Sequence, residues 1–125
     1  VRQKGLWWEA TCPLVVATLG TPFEIDTRNK ILFLEEIGEP AYRLDRMLAQ
    51  VKLAGKLDHA SGFACGLFSR CPQAPDVLYH YLKGKPSCYG LPAGHSLLQA
   101  TLPLGIKACL DAGRCRLTFM ENALR

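Results

Sequence analysis

The sequence has no apolar run near the roughly 18 to 20 residues that a helix needs to cross a bilayer, so no membrane-spanning helix is expected. Its opening, VRQKGLWWEATCPLVV, is too mixed and its apolar run too short for a signal peptide, and a cytoplasmic protein is expected. Lys and Arg never form a run longer than two, and no basic cluster is interleaved with aromatics. A formal charge of +4 spread in this way describes a solvated surface, and no nucleic-acid partner is expected. There is no C-x-x-C and no Cys/His spacing of the kind that holds a metal, so no metal and no cofactor are expected. Internal repeats and low-complexity stretches are also missing.

What is present is enough for one core. A chain of 125 residues with 49% hydrophobic positions is long enough for a single domain, taken as 1–125, and too short for two. Six cysteines, Cys12, Cys65, Cys71, Cys88, Cys109 and Cys115, would suit three disulfides. Several lie inside apolar runs, where a free thiol behaves as a small hydrophobe, and reduced structural cysteines are expected.

Periodicity and punctuation divide the chain. After a ragged start, the apolar block Cys12 to Leu19 closes at Gly20-Thr21-Pro22 as a short helix. Ile31 to Glu35 reads as a strand whose unbroken apolar run implies cover on both faces. Pro40 suits the first turn of a helix that carries Leu44, Met47, Leu48 and Val51 on one face and ends at Gly55. Gly62 to Phe68 is a second strand, Asp76 to Gly84 a short helix, and Ser87 to Tyr89 a third strand followed by the loop GLPAGH. Alternation on both sides of Asp111-Ala112-Gly113-Arg114 predicts a terminal hairpin. The expected fold is α/β: a small single domain with a mostly parallel sheet, flanking helices and a C-terminal β-hairpin.

Ligand-handling groups collect beyond the carboxyl ends of parallel strands, because the loops there can vary without disturbing the core. Glu35 falls at such a point, where ILFL gives way to two carboxylates. Glu36 and Glu39 are expected to be ordinary surface carboxylates or charges favoured by the helix dipole. His95 follows a glycine in the loop after another strand. A carboxylate and an imidazole on equivalent loops of one sheet are the acid and base halves of a nucleophile-activating relay. His59 and His80 have no such setting and are expected at the surface.

Three stretches, GTPFEIDTRNKILFLEEIGEPAYRLDRMLAQVKLAGKLD, YGLPAGH and TLPLGIKACLDA, resemble the C-terminal domain of the serine LD-carboxypeptidases. That family comprises the muramoyltetrapeptide carboxypeptidases and the microcin C immunity peptidases. The resemblance implies a Ser-Glu-His triad in which Glu35 holds the imidazole and His95 is the general base and then the general acid. It further implies release of a terminal D-amino acid from murein tetrapeptides in the cytoplasm, without a metal. The nucleophile and the oxyanion-hole donors would belong to an N-terminal domain that is expected to be absent here. Ser61, Ser69, Ser87 and Ser96 do not stand on a strained strand-to-helix elbow.

Two functions follow as expectations. In the first, the chain is half of a carboxypeptidase, inactive alone, and its partners are a serine-bearing N-terminal domain and a murein peptide. In the second, it is a stand-alone non-catalytic module that keeps the fold and binds or self-associates as a homo-oligomer. In either case Trp7 and Trp8 are candidates to cover surface left bare by a missing domain.

Overall fold

A computed structural model of the chain describes residues 2–95 and 97–124, with the backbone alone for 2–4 and 6–10. Its elements are β1 (Arg2–Thr11), α1 (Cys12–Thr18), β2 (Lys30–Ile37), α2 (Ala41–Leu53), α3 (Lys56–His59), β3 (Gly62–Ser69), α4 (Ala74–Leu82), β4 (Ser87–Cys88), β5 (Lys107–Asp111) and β6 (Arg116–Phe119). They build a small α/β domain around one sheet of order β4-β3-β2-β1-β5-β6. Strands β1 to β4 pair in parallel, while β5 pairs antiparallel with β1 and β6.

The unbroken run in β2 is explained by two cores, one on each face of the sheet. Leu32 and Leu34 join Leu44, Leu48 and Val51 of α2, Val15 of α1 and Leu78 and Leu82 of α4. Ile31 and Phe33 join Ala64, Cys88, Ala93, Ala108 and Leu110 on the opposite face. Each Leu, Ile, Val or Phe among them contributes about 1.5–3 kcal/mol by leaving water. On α2 the spacing of Leu44, Leu48 and Val51 sets three buried residues on one stripe, and Pro40 stands just before the helix in extended conformation.

The start of the chain corrects the ragged segment expected there: Arg2–Thr11 is a ten-residue strand. Its pairing accounts for its mixed composition. Arg2 to Leu6 pair with β5, and Leu6 to Thr11 pair with β2, so each half is hydrogen-bonded mainly on one side. Neither half needs the continuous apolar pattern of a strand enclosed on both edges and both faces. The side chains of Trp7 and Trp8, expected to cover a bare surface, lie outside the described residues.

The cysteine expectation needs one correction. Cys12, Cys65 and Cys71 are buried free thiols and Cys109 is a half-buried one, but Cys88 and Cys115 form a disulfide with Cα atoms 5.0 Å apart. The hairpin β5–β6, joined by a 3-10 turn at Ala112–Arg114, curls over the second core until its tip reaches β4 at the far edge. Residues 27 apart in sequence meet through that curl, which spacing alone does not reveal. No described helix is long and apolar enough to cross a membrane.

Candidate active site

Alternation along β2 decides where its two carboxylates go. Ile31, Phe33 and Glu35 turn toward the second core, and Leu32, Leu34 and Glu36 toward the helices. The strand runs to Ile37, two residues beyond its expected end, so Glu35 lies inside the sheet and is only 2% exposed. His95 arrives from the other direction. After β4 the chain docks on β3, where Leu91 N–H donates to the Cys65 carbonyl (3.0 Å) and Leu67 N–H donates to the Ala93 carbonyl (3.2 Å).

Two glycines permit that approach. A Cβ on Gly66 would overlap the carbonyl oxygen of Ala93 and lie 2.7 Å from Phe33 Cζ. Gly94 adopts φ +106°, and a Cβ there would lie 2.8 Å from Glu35 Oε2. The chain can therefore pass directly over the carboxylate and deliver the next residue onto it.

His95 Nδ1 lies 2.8 Å from Glu35 Oε2. The carboxyl side chain is 3% exposed and the imidazole 53% exposed. With the carboxylate ionised, Nδ1–H donates to it, and in the neutral ring the lone pair then lies on Nε2. The pair forms part of a cleft of about 400 Å³ lined also by Gly94, Gln99, Thr101 and Leu102. A carboxylate-oriented imidazole of this kind can take a proton from a hydroxyl presented to Nε2 and return it to a leaving group.

The model of the LD-carboxypeptidase C-terminal domain matches residues 4–110. The chain belongs to that family. A probable murein peptide carboxypeptidase of Bacillus subtilis is 41% identical over 108 residues, which are 78% of this chain and 34% of that protein. A putative carboxypeptidase of Synechocystis is 40% identical over 120 residues, 86% of this chain and 40% of the relative. The crystal structure of a muramoyltetrapeptide carboxypeptidase from Oxalobacter formigenes superposes with a TM-score of 0.77 at 31% identity, over 88% of this chain and 42% of that one. A microcin C7 self immunity protein at 22% identity shares the fold, with a TM-score of 0.85 over 99% of this chain and 40% of its own. The chain thus spans about two fifths or less of the length of these relatives.

This LD-carboxypeptidase C-terminal domain brings Glu35 and His95 together and leaves the other candidates apart. His59 and His80 are exposed, as expected. Ser87 Oγ donates to the Lys85 carbonyl and Ser69 Oγ to the His95 carbonyl, while Ser96 lies outside the described residues. Glu39 pairs with Arg43 at 3.5 Å on the surface side of α2. Among the described residues no three His, Cys, Asp or Glu side chains are grouped to hold a metal ion.

Glu36 corrects its expected surface position. It is 7% exposed; one oxygen accepts the Ile37 N–H at 2.9 Å, and Oε2 has no hydrogen-bond partner among the described residues. Burial, with Glu35 and Glu39 nearby, raises its carboxyl above the ordinary range, although the Ile37 bond opposes this. Burial beside Glu36 and Glu35 likewise pushes the Cys12 thiol up to about 12, which keeps it protonated and unreactive. A raised carboxyl ionises later in the folded than in the unfolded chain, so it lowers stability as pH rises through the two values. Glu36→Gln is expected to be more stable than the parent at pH 7 and to lose that advantage below pH ~4, where the carboxyl is protonated in both states. Urea unfolding at the two pH values measures the difference, and a variant weaker at both would contradict it.

Sequence reasoning missed Gly66 and two side-chain hydrogen bonds that end on the His95 loop, from Ser69 and from Gln99, whose amide donates to the Gly94 carbonyl. A glycine inside an apolar strand was the available signal, since it often marks a bulge or a close backbone approach.

Proposed function

We propose that this domain supplies the Glu and His of a Ser-Glu-His triad, and that the enzyme it completes hydrolyses the bond to the terminal D-amino acid of murein tetrapeptides. The contact of Glu35 with His95 at 2.8 Å, with the carboxylate buried and the imidazole half-exposed in a cleft, carries the reading. Nε2 takes the proton of a serine hydroxyl as that oxygen attacks the peptide carbonyl, and returns it to the leaving amine of the D-amino acid. Glu35 keeps the proton on Nδ1 and stabilises the imidazolium that forms. In the second half, Nε2 draws a proton from water as the water oxygen attacks the acyl-serine carbonyl, and returns it to the serine oxygen as the bond to the acyl group breaks.

The serine and its oxyanion-hole donors lie in this proposal on a domain N-terminal to the one described, since the relatives are longer by more than half their length. The domain 1–125 alone is then inactive, because an imidazole without its nucleophile loses the covalent route. Murein recycling would place the enzyme in the cytoplasm, where thiol-reducing conditions would keep Cys88 and Cys115 largely open.

Release of D-alanine from a murein tetrapeptide tests the proposal. It is measured with residues 1–125 alone and mixed with the serine-bearing domain of a related enzyme. Release in the mixture only is the expected result. Release by residues 1–125 alone would mean a nucleophile within the chain, with Ser96 first to replace. No release in either tube, once binding of the halves is confirmed by light scattering, would favour a non-catalytic module. The fully exposed Leu97 and the exposed Leu98 beside His95 suit a covered face in either case, whether a second domain or a second copy covers it.

A further inference from the structure

The pairing of β2 with β3 contains an irregularity beside the site. Residues match one for one from Ile31 with Gly62 to Leu34 with Cys65, and then the register slips, so that Glu36 faces Phe68 and Ile37 faces Ser69. β3 therefore carries one extra residue at Gly66-Leu67, opposite Glu35. Because side chains alternate, one inserted residue reverses the face taken by every residue after it.

The packing follows that reversal. Before the slip, Phe63 and Cys65 pack with the helices and Ala64 packs on the other face. After it, Phe68 packs with the helices, and Ser69 turns to the face over which the His95 loop passes. A regular strand would put Phe68 beneath that loop and Ser69 beneath the helices. Ser69 Oγ donates to the backbone carbonyl of His95 at 3.2 Å. Its own carbonyl accepts the N–H of Gly38 at 2.9 Å, just beyond β2. One residue thus ties the strand that bears Glu35 to residue 95 itself.

We propose that Ser69 is a positioning residue, which fixes the His95 imidazole against Glu35 through the His95 carbonyl, and that the bulge at Gly66-Leu67 serves to present it. Leu67 and Gln99 hold the loop two residues and one residue earlier, at Ala93 and Gly94. The ring is 53% exposed, so its place on the carboxylate depends on the backbone that carries it, and rotation at residue 95 would swing it off. The catalytic consequence rests on the proposed triad; the positional role does not.

The test uses the protein with ¹⁵N-labelled histidine. The Nδ1–H resonance of His95 is assigned by its loss in His95→Gln, and its exchange with solvent is measured. Ser69→Ala is expected to speed that exchange about fivefold, the factor that one ordinary hydrogen bond supplies, while the chain stays folded and its unfolding midpoint falls by no more than the loss of that one bond accounts for. Ser69→Thr, which keeps the hydroxyl, is expected to restore the slow exchange. In the enzyme completed by a serine-bearing domain, Ser69→Ala lowers kcat by a similar factor and leaves KM in place. Unchanged exchange in Ser69→Ala overturns the proposal, as does faster exchange that Ser69→Thr fails to reverse. If His95→Ala leaves D-alanine release intact, the proposed reaction falls, and the exchange measurement still decides the role of Ser69.

Discussion

In the enzyme completed by a serine-bearing domain, His95→Ala is expected to lower kcat about a million-fold, and Glu35→Gln about ten-thousand-fold. The first removes the group that moves the proton. The second leaves a neutral amide at the 2.8 Å contact, which can hold the ring in the wrong tautomer and cannot stabilise an imidazolium. KM should change little in either variant, because neither group is asked to bind the ground state. Glu36→Gln serves as the control. Its carboxyl turns toward the helices and away from the imidazole, so kcat should stay within a few-fold of the parent. Steady-state release of D-alanine measures all three, and equal losses at Glu35 and Glu36 would reassign the carboxylate.

Gly94→Ala is expected to cost about 3 kcal/mol of stability, and with it the contact between His95 and Glu35. Two effects add. At φ +106° an L side chain is strained whatever space surrounds it, at roughly 1–3 kcal/mol, and the new methyl group would lie 2.8 Å from Glu35 Oε2. Gly66→Ala should cost a similar amount by overlap alone, because the methyl meets the Ala93 carbonyl, which is backbone, and the packed ring of Phe33. Urea unfolding measures both losses. A change of less than about 1 kcal/mol in both variants would mean that the loop does not ride as closely on β3 as described.

Much of this site could be read before any coordinates. The ILFL run implied a strand covered on both faces, and the carboxylate at its end was out of place unless something met it. Gly94 marked a backbone able to come close, and His95 was the next residue. The contact of the two side chains was implied by the resemblance; what brings it about was less accessible, because it depends on contacts between distant segments: Gly66 admits the loop and a one-residue slip turns Ser69 toward it. Glu36 was misplaced for a simpler reason. The apolar run stopped at Leu34, so the strand seemed to end at Glu35, whereas pairing with β3 carries it to Ile37 and buries the next carboxylate on the opposite face. The strand at Arg2–Thr11 was missed because two different neighbours share its length.

The cross-link between Cys88 and Cys115 makes a covalent ring of the chain between them, and His95 lies on that ring. With a sequence separation of 27, such a closure removes about 3.5 kcal/mol of chain entropy from the unfolded state. When the bond is open, the loop and the hairpin β5–β6 are held by packing through Ala93, Ala108 and Leu110 and by their hydrogen bonds to β3 and β1. Glu35 is unaffected by that choice, since it belongs to the interior of the sheet. The two halves of the dyad are thus secured by different means: the carboxylate by the central strand, and the imidazole by hydrogen bonds to β3 and by a covalent ring that closes only under oxidising conditions.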